Sequence, residues 1–126
     1  MATETTPQTV LSVLTQVREL LTPEGCWTQD AFGRDATGEK CPARSESCAC
    51  WCLVGAIQAV CPSPSTRGAV YERLATVLGV AVDYSDSSSG DTHNDGQIIE
   101  WQDAPARTHA EVLAALDKAI EAESKA

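Results

Sequence analysis

The run Cys48-Ala49-Cys50-Trp51-Cys52 passes directly into Leu53-Val54-Gly55-Ala56-Ile57-Gln58-Ala59-Val60, and this junction constrains the fold more than any other part of the chain. A segment with Gln58 as its sole polar side chain cannot be left in water, so the rest of the protein must surround it. Ser47 is placed to cap a helix there, running to about Val60, and Cys61-Pro62-Ser63-Pro64 stops it. The fold expected from this is mainly α: about four helices around a buried central helix, with a small β-hairpin near 27–42.

The flanking elements follow from spacing and punctuation. Thr6-Pro7 supplies a cap and a first-turn proline for a helix over 7–22, with Val10, Leu14, Val17 and Leu21 on one stripe. Trp27-Thr28-Gln29 and Ala31-Phe32-Gly33-Arg34 read as strand-like pieces leading into the turn Asp35-Ala36-Thr37-Gly38. Ser65 or Thr66 caps a third helix that directs Val70, Leu74, Val77 and Leu78 inward and closes near Gly79. Residues 83–96 read as an acidic mobile loop, and Ile98-Ile99-Glu100-Trp101 as an apolar segment of either type. Thr108-His109-Ala110-Glu111 is a capping box, opening a helix with Val112, Leu113, Leu116, Ala119 and Ile120 on one face. The 126 residues form one domain, with 1–6 a flexible N-terminus.

Charge narrows the class of partner. The net charge is −9, and residues 83–126 carry ten acids against three bases. Such a surface repels nucleic acid and anionic lipid, which points to a protein or small-molecule partner and away from nucleic acid and membrane. Met1 to Pro7 has no basic region and no apolar stretch, unlike a signal peptide, so the expected location is the cytoplasm of a bacterial host cell with reduced thiols.

Three segments carry a resemblance. They are Trp27-Thr28-Gln29-Asp30-Ala31-Phe32-Gly33-Arg34-Asp35-Ala36-Thr37-Gly38, Cys50-Trp51-Cys52-Leu53-Val54-Gly55-Ala56, and Trp101-Gln102-Asp103-Ala104-Pro105-Ala106-Arg107-Thr108 with the helix start that follows. Their order and spacing resemble a domain-of-unknown-function family of small proteins from actinobacteria and their bacteriophages. The resemblance spans roughly 10–121, with Asp30 and Gln102 where the family pattern commonly carries Gly and Asn. It implies a phage or prophage origin and no reaction. Each segment also holds one of the only three tryptophans, Trp27, Trp51 and Trp101, which suggests that the three meet, either as a core cluster or as a ligand-stacking site.

The candidate ligand site is therefore Trp27, Arg34, Asp35, Trp51, Trp101, Asp103 and Arg107. Its charged members are expected to pair, tying the hairpin to the last helix, or to stand at a pocket mouth. A thiol nucleophile is the rival chemistry. Cys48 or Cys50 in the first turn of a helix would feel the positive end of its dipole, with His93 or His109 as base and Asp103 as orienter; Cys52 is a further candidate nucleophile, although its place beside the apolar run favours packing inside. His109 otherwise reads as a solvent-facing residue at a helix start. A zinc-stabilised module is a third reading, using Cys48 and Cys52 on one helix face with Cys41 and Cys61. Asp91, Asp95 and Gly96 fit a calcium loop only in part, because Gln102 stands where its bidentate carboxylate belongs. No motif points to a cofactor. The function expected is a small non-enzymatic accessory protein that binds a host macromolecule or small metabolite; the alternatives are a cysteine-dependent hydrolase or transferase and the zinc-stabilised module.

Overall fold

A computed structural model describes residues 9–80 and 94–125. These contain five helices and a small three-stranded antiparallel sheet. Helix α1 (Val10–Leu21) starts later than the spacing suggested. Thr9 is its cap: the Thr9 hydroxyl accepts from the Ser12 N–H, and the Ser12 hydroxyl accepts from the Thr9 N–H. Thr6 and Pro7 lie outside the described residues, as do 1–5 of the expected flexible N-terminus.

The turn Asp35–Gly38 closes a hairpin of strands β1 (Gly33–Asp35) and β2 (Lys40–Cys41). Gly38 takes φ +90°, and the Asp35 carboxylate accepts from the Thr37 hydroxyl and from the backbone N–H groups of Thr37 and Glu39. These bonds, led by the Thr37 hydroxyl, hold the Asp35 carboxyl below its ordinary range.

The main departure lies at the cysteine run. Cys48–Trp51 is strand β3, paired on the free side of β1 to give the order β2-β1-β3, and the expected helix start at Ser47 is not there. Trp51 is held on both flanks. It pairs with Gly33 in β1, and it exchanges backbone bonds with the 26–28 segment, its N–H going to Cys26 O and its carbonyl accepting from the Thr28 N–H. A helical first turn at 48–51 would forfeit that ladder. Helix α2 (Leu53–Val60) begins only at Leu53, with Cys52 as its cap, and Leu53 to Ile57 are buried.

Pro64 does not merely end α2; it opens helix α3 (Pro64–Leu78). The cap is Ser63 rather than Ser65 or Thr66, and Gly79 closes the helix at φ +75°. The end of the stretch expected to be an acidic loop, 83–96, is helical from Asn94. Asn94–Gln102 is helix α4, which absorbs the Ile98–Trp101 segment and buries Ile98, while 83–93, with Asp91 and His93, lie outside the described residues. Helix α5 (His109–Ser124) opens on the Thr108–Glu111 capping box as read.

The core unites Val13, Leu14, Val17 and Leu21 of α1, Leu53 to Ile57 of α2, Val70, Tyr71 and Leu74 of α3, Ile98 of α4, and Val112 and Leu116 of α5. Ion pairs Arg18–Asp117 (2.8 Å) and Arg73–Glu123 (2.5 Å) tie α5 to α1 and α3 at the rim. None of the described helices is long and apolar enough to cross a membrane.

Candidate functional site

The three sequence segments meet at the N-terminus of α2. Gln102, the buried polar side chain at the end of α4, stands between them. Its Oε1 accepts from the Trp27 indole N–H (2.7 Å) and from the Leu53 backbone N–H (3.1 Å), and its Nε2 donates to Asp103 Oδ1. The Gln29 amide reaches the carbonyls of Gln102 (2.7 Å) and Ala104 (3.0 Å). Asp103 Oδ1 also accepts from the Asp30 N–H (3.0 Å). A helix start needs partners for its first N–H groups. Here Gln102 serves Leu53, and the Cys52 sulfur accepts from the Gly55 N–H at 3.2 Å.

These bonds hold the 29–32 turn against α2. Phe32 O accepts from the Cys52 N–H (3.1 Å), and a Cβ on Gly55 would stand 1.9 Å from the same oxygen. The turn also forces Asp30 to φ +65°, a left-handed conformation that glycine adopts freely and aspartate tolerates. The glycine that the resemblance implies at this position has a backbone reason.

Beside the network opens a cleft of about 650 Å³. It is lined by Asp30, Ala31 and Phe32 of the turn, by Lys40, Cys41 and Pro42 at β2, and by Cys52, Ile99 and Asp103. Among the described residues Phe32 is the large apolar side chain left exposed, at 45%. Lys40 has no acidic partner within ion-pair distance among the described residues, and Asp103 Oδ2 has no hydrogen bond there.

Of the seven expected ligand residues, Asp103 lines this cleft. Trp27 is committed to Gln102, and its ring stacks on His109 with centroids 6.0 Å apart. Trp51 donates to Ala43 O (2.8 Å) and borders a separate groove with Leu20 and Val60. Trp101 and Arg107 border another groove against α3 and α5, the guanidinium 3.8 Å over the indole. The expected pairing of Arg34 and Arg107 with Asp35 and Asp103 does not form among the described residues. Arg34 instead donates to the Thr28 hydroxyl and to the carbonyls of Gln29 and Gly38, Asp35 turns into its own hairpin, and Arg107 bonds Trp101 O and pairs with Glu111 (3.6 Å). The backbone offers these arginines nearer acceptors than the carboxylates.

The thiol readings change with the strand. Cys48 and Cys50 lie in β3 and not in the first turn of a helix, and Cys48 and Cys52 share no helix face. Burial, with the Cys41 thiol beside it, pushes the Cys48 thiol up to about 12, and burial pushes Cys52 to about 11. Cys61 is likewise raised by burial. His109 is not solvent-facing: its Nε2 meets Leu21 O, and its ring lies on Trp27. Among the described residues no hydrogen bond joins it to a cysteine. Cys41 and Cys48 meet with sulfurs 2.8 Å apart, but Cys52 caps α2 and Cys61 donates to Ser63 O, so the four proposed zinc ligands are not brought together. Among the described residues no three His, Cys, Asp or Glu side chains are grouped to hold a metal ion.

Phe32, Lys40, Gln29 and Ile99 were not singled out by sequence reasoning, and Gln102 figured there only as a departure from two patterns, the family motif and the calcium loop. The one available signal was Phe32, the chain's single phenylalanine, inside the first motif. The chain belongs to a family of unknown function, DUF6197, whose model matches residues 5–122. No curated protein and no solved structure matches it.

Proposed function

We propose that this chain is a non-enzymatic accessory protein, of phage or prophage origin, that binds a small metabolite of the host in the cleft between the 29–32 turn, β2 and α4. The observation that carries the reading is Phe32. Phe32, 45% exposed, lines a cleft of about 650 Å³, the size of an ordinary small-molecule site, and such sites are lined mostly by apolar and aromatic side chains. The charged groups narrow the ligand. Asp30 and Asp103 favour an amine, Lys40 favours an acidic group, and Phe32, Pro42 and Ile99 favour an apolar body between them. A compact amino-acid-like zwitterion meets all three demands. The raised thiols of Cys48 and Cys52 weigh against a cysteine enzyme, because the thiolate is the nucleophile.

A thermal-shift screen of zwitterionic and cationic metabolites tests this. A ligand at a hundred times its Kd adds about 2.7 kcal/mol to the stability of the native state, a readily measured rise in Tm. The expected result is such a rise for the wild type and its loss in Phe32→Ala, whose exposed side chain contributes little to folding. A Phe32→Ala protein that responds like the wild type would place the site elsewhere.

A further inference from the structure

Gly33 lies in the middle strand, and an ideal Cβ there would stand 2.3 Å from Cys48 Sγ. The absent side chain leaves the space through which Cys48, on β3, reaches Cys41, on β2, across the strand between them. Their sulfurs are 2.8 Å apart. A disulfide bond is about 2.0 Å long, so the sulfurs stand within about 1 Å of bonding distance, and closing the bond also draws the two outer strands towards each other. Among the described residues no other two sulfurs are in contact. Cys52 and Cys61 are buried, with their sulfurs bonded to Gly55 N–H and Ser63 O. Cys50 faces Arg34 O.

We propose that Cys41 and Cys48 are a reversible redox pair, a modification site at the wall of the cleft that exchanges with low-molecular-weight disulfides such as oxidised glutathione. Cys41 lines the cleft and is the sulfur that a small disulfide reaches first. Its thiolate attacks one sulfur of the oxidant, forming a mixed disulfide and releasing one small thiol. Cys48 then gives its proton to solvent and attacks the Cys41 sulfur, expelling the second small thiol. Two protein thiols have become one disulfide, and the small disulfide has been reduced to two thiols. Part of what raises the Cys48 thiol is the Cys41 thiol beside it, and that part lapses once Cys41 is held in the mixed disulfide. The bond pins the 42–47 segment to both outer strands. Pro42 belongs to that segment and to the cleft wall, so the oxidised form has a stiffer cleft.

The test is made on the full chain, incubated in glutathione buffers of graded redox ratio, trapped by acid and alkylation, and digested without reductant. The expected product is a cross-linked peptide joining Cys41 to Cys48, its share rising with the oxidised fraction and falling back to two thiols in dithiothreitol. In Cys48→Ser, glutathione should accumulate on Cys41 instead. Separate glutathione adducts on the two wild-type cysteines, a cross-link joining Cys48 to Cys50, or oxidation confined to Cys26 would each overturn the proposal.

Discussion

The Trp27 indole N–H donates to Gln102 Oε1 at 2.7 Å, and the same oxygen accepts the Leu53 backbone N–H. One buried amide thus joins the first motif, the end of α4 and the start of α2. It is also the scaffold of the cleft, because the Gln102 amide nitrogen bonds Asp103, whose carboxylate holds the Asp30 turn.

Gln102→Leu keeps the volume and strands two donors, the Trp27 indole N–H and the Leu53 backbone N–H. Each buried group left without a partner costs about 1–3 kcal/mol. The expected loss is about 3–5 kcal/mol in urea unfolding, with quenched or shifted Trp27 fluorescence. A loss below about 1 kcal/mol would mean that water replaces the amide and that the network is not what holds the segments together.

Where signals were local, they were legible. The Thr108–Glu111 capping box, Gly38 and Gly79 at positive φ, and the stripe of α1 each needed only a few neighbouring residues. The cysteine run was not, since Ser47 offers a plausible cap and a short apolar run suits strand or helix equally. What decides for a strand is pairing with Gly33 and with the 26–28 segment, both distant in sequence. The same holds for the cleft. Nothing local marks Gln102 as buried or Lys40 and Ile99 as lining one cleft with Phe32, because those relations exist only once β2 and α4 are packed beside the 29–32 turn.

Leu53 and Ile57 are fully buried in α2, whereas Leu20 of α1 is only partly covered. Leu53→Ala or Ile57→Ala should cost about 2–5 kcal/mol through lost burial and an unfilled cavity. Leu20→Ala should cost clearly less. Equal, negligible losses at all three positions, measured by chemical denaturation, would contradict the packing of α2.

Gly55 tests the approach of the 29–32 turn to α2. A Cβ there meets Phe32 O at 1.9 Å and the Phe32 carbonyl carbon at 2.7 Å, both backbone atoms that a rotamer change cannot clear. Gly55→Ala should therefore destabilise by about 3 kcal/mol, the upper part of the range for overpacking, despite alanine's better helix propensity. Ligand binding in the cleft should weaken with it, since the turn carries Phe32. A stabilised Gly55→Ala protein would show that the turn lies further from the helix.

Cys52 gives the pH dependence. Its thiol is raised to about 11, chiefly by burial, against an ordinary value of 9.0. Between those values the unfolded chain has lost the proton that the folded chain retains, so the unfolded state binds fewer protons and stability falls as pH rises. The contribution is complete below about pH 9 and is lost through pH 11. Cys48, raised to about 12, extends the same decline. Cys52→Ser removes the titration at that position while keeping an atom that can accept the Gly55 N–H, and serine is a favoured helix cap. Urea unfolding from pH 7 to 11 should show a steep alkaline loss in the wild type and a shallower one in Cys52→Ser. Cys52→Ala should flatten the profile similarly but start about 1 kcal/mol lower at pH 7, because its cap is gone. Identical alkaline slopes in all three proteins would mean that Cys52 ionises freely in the folded state, and would restore it as a candidate nucleophile.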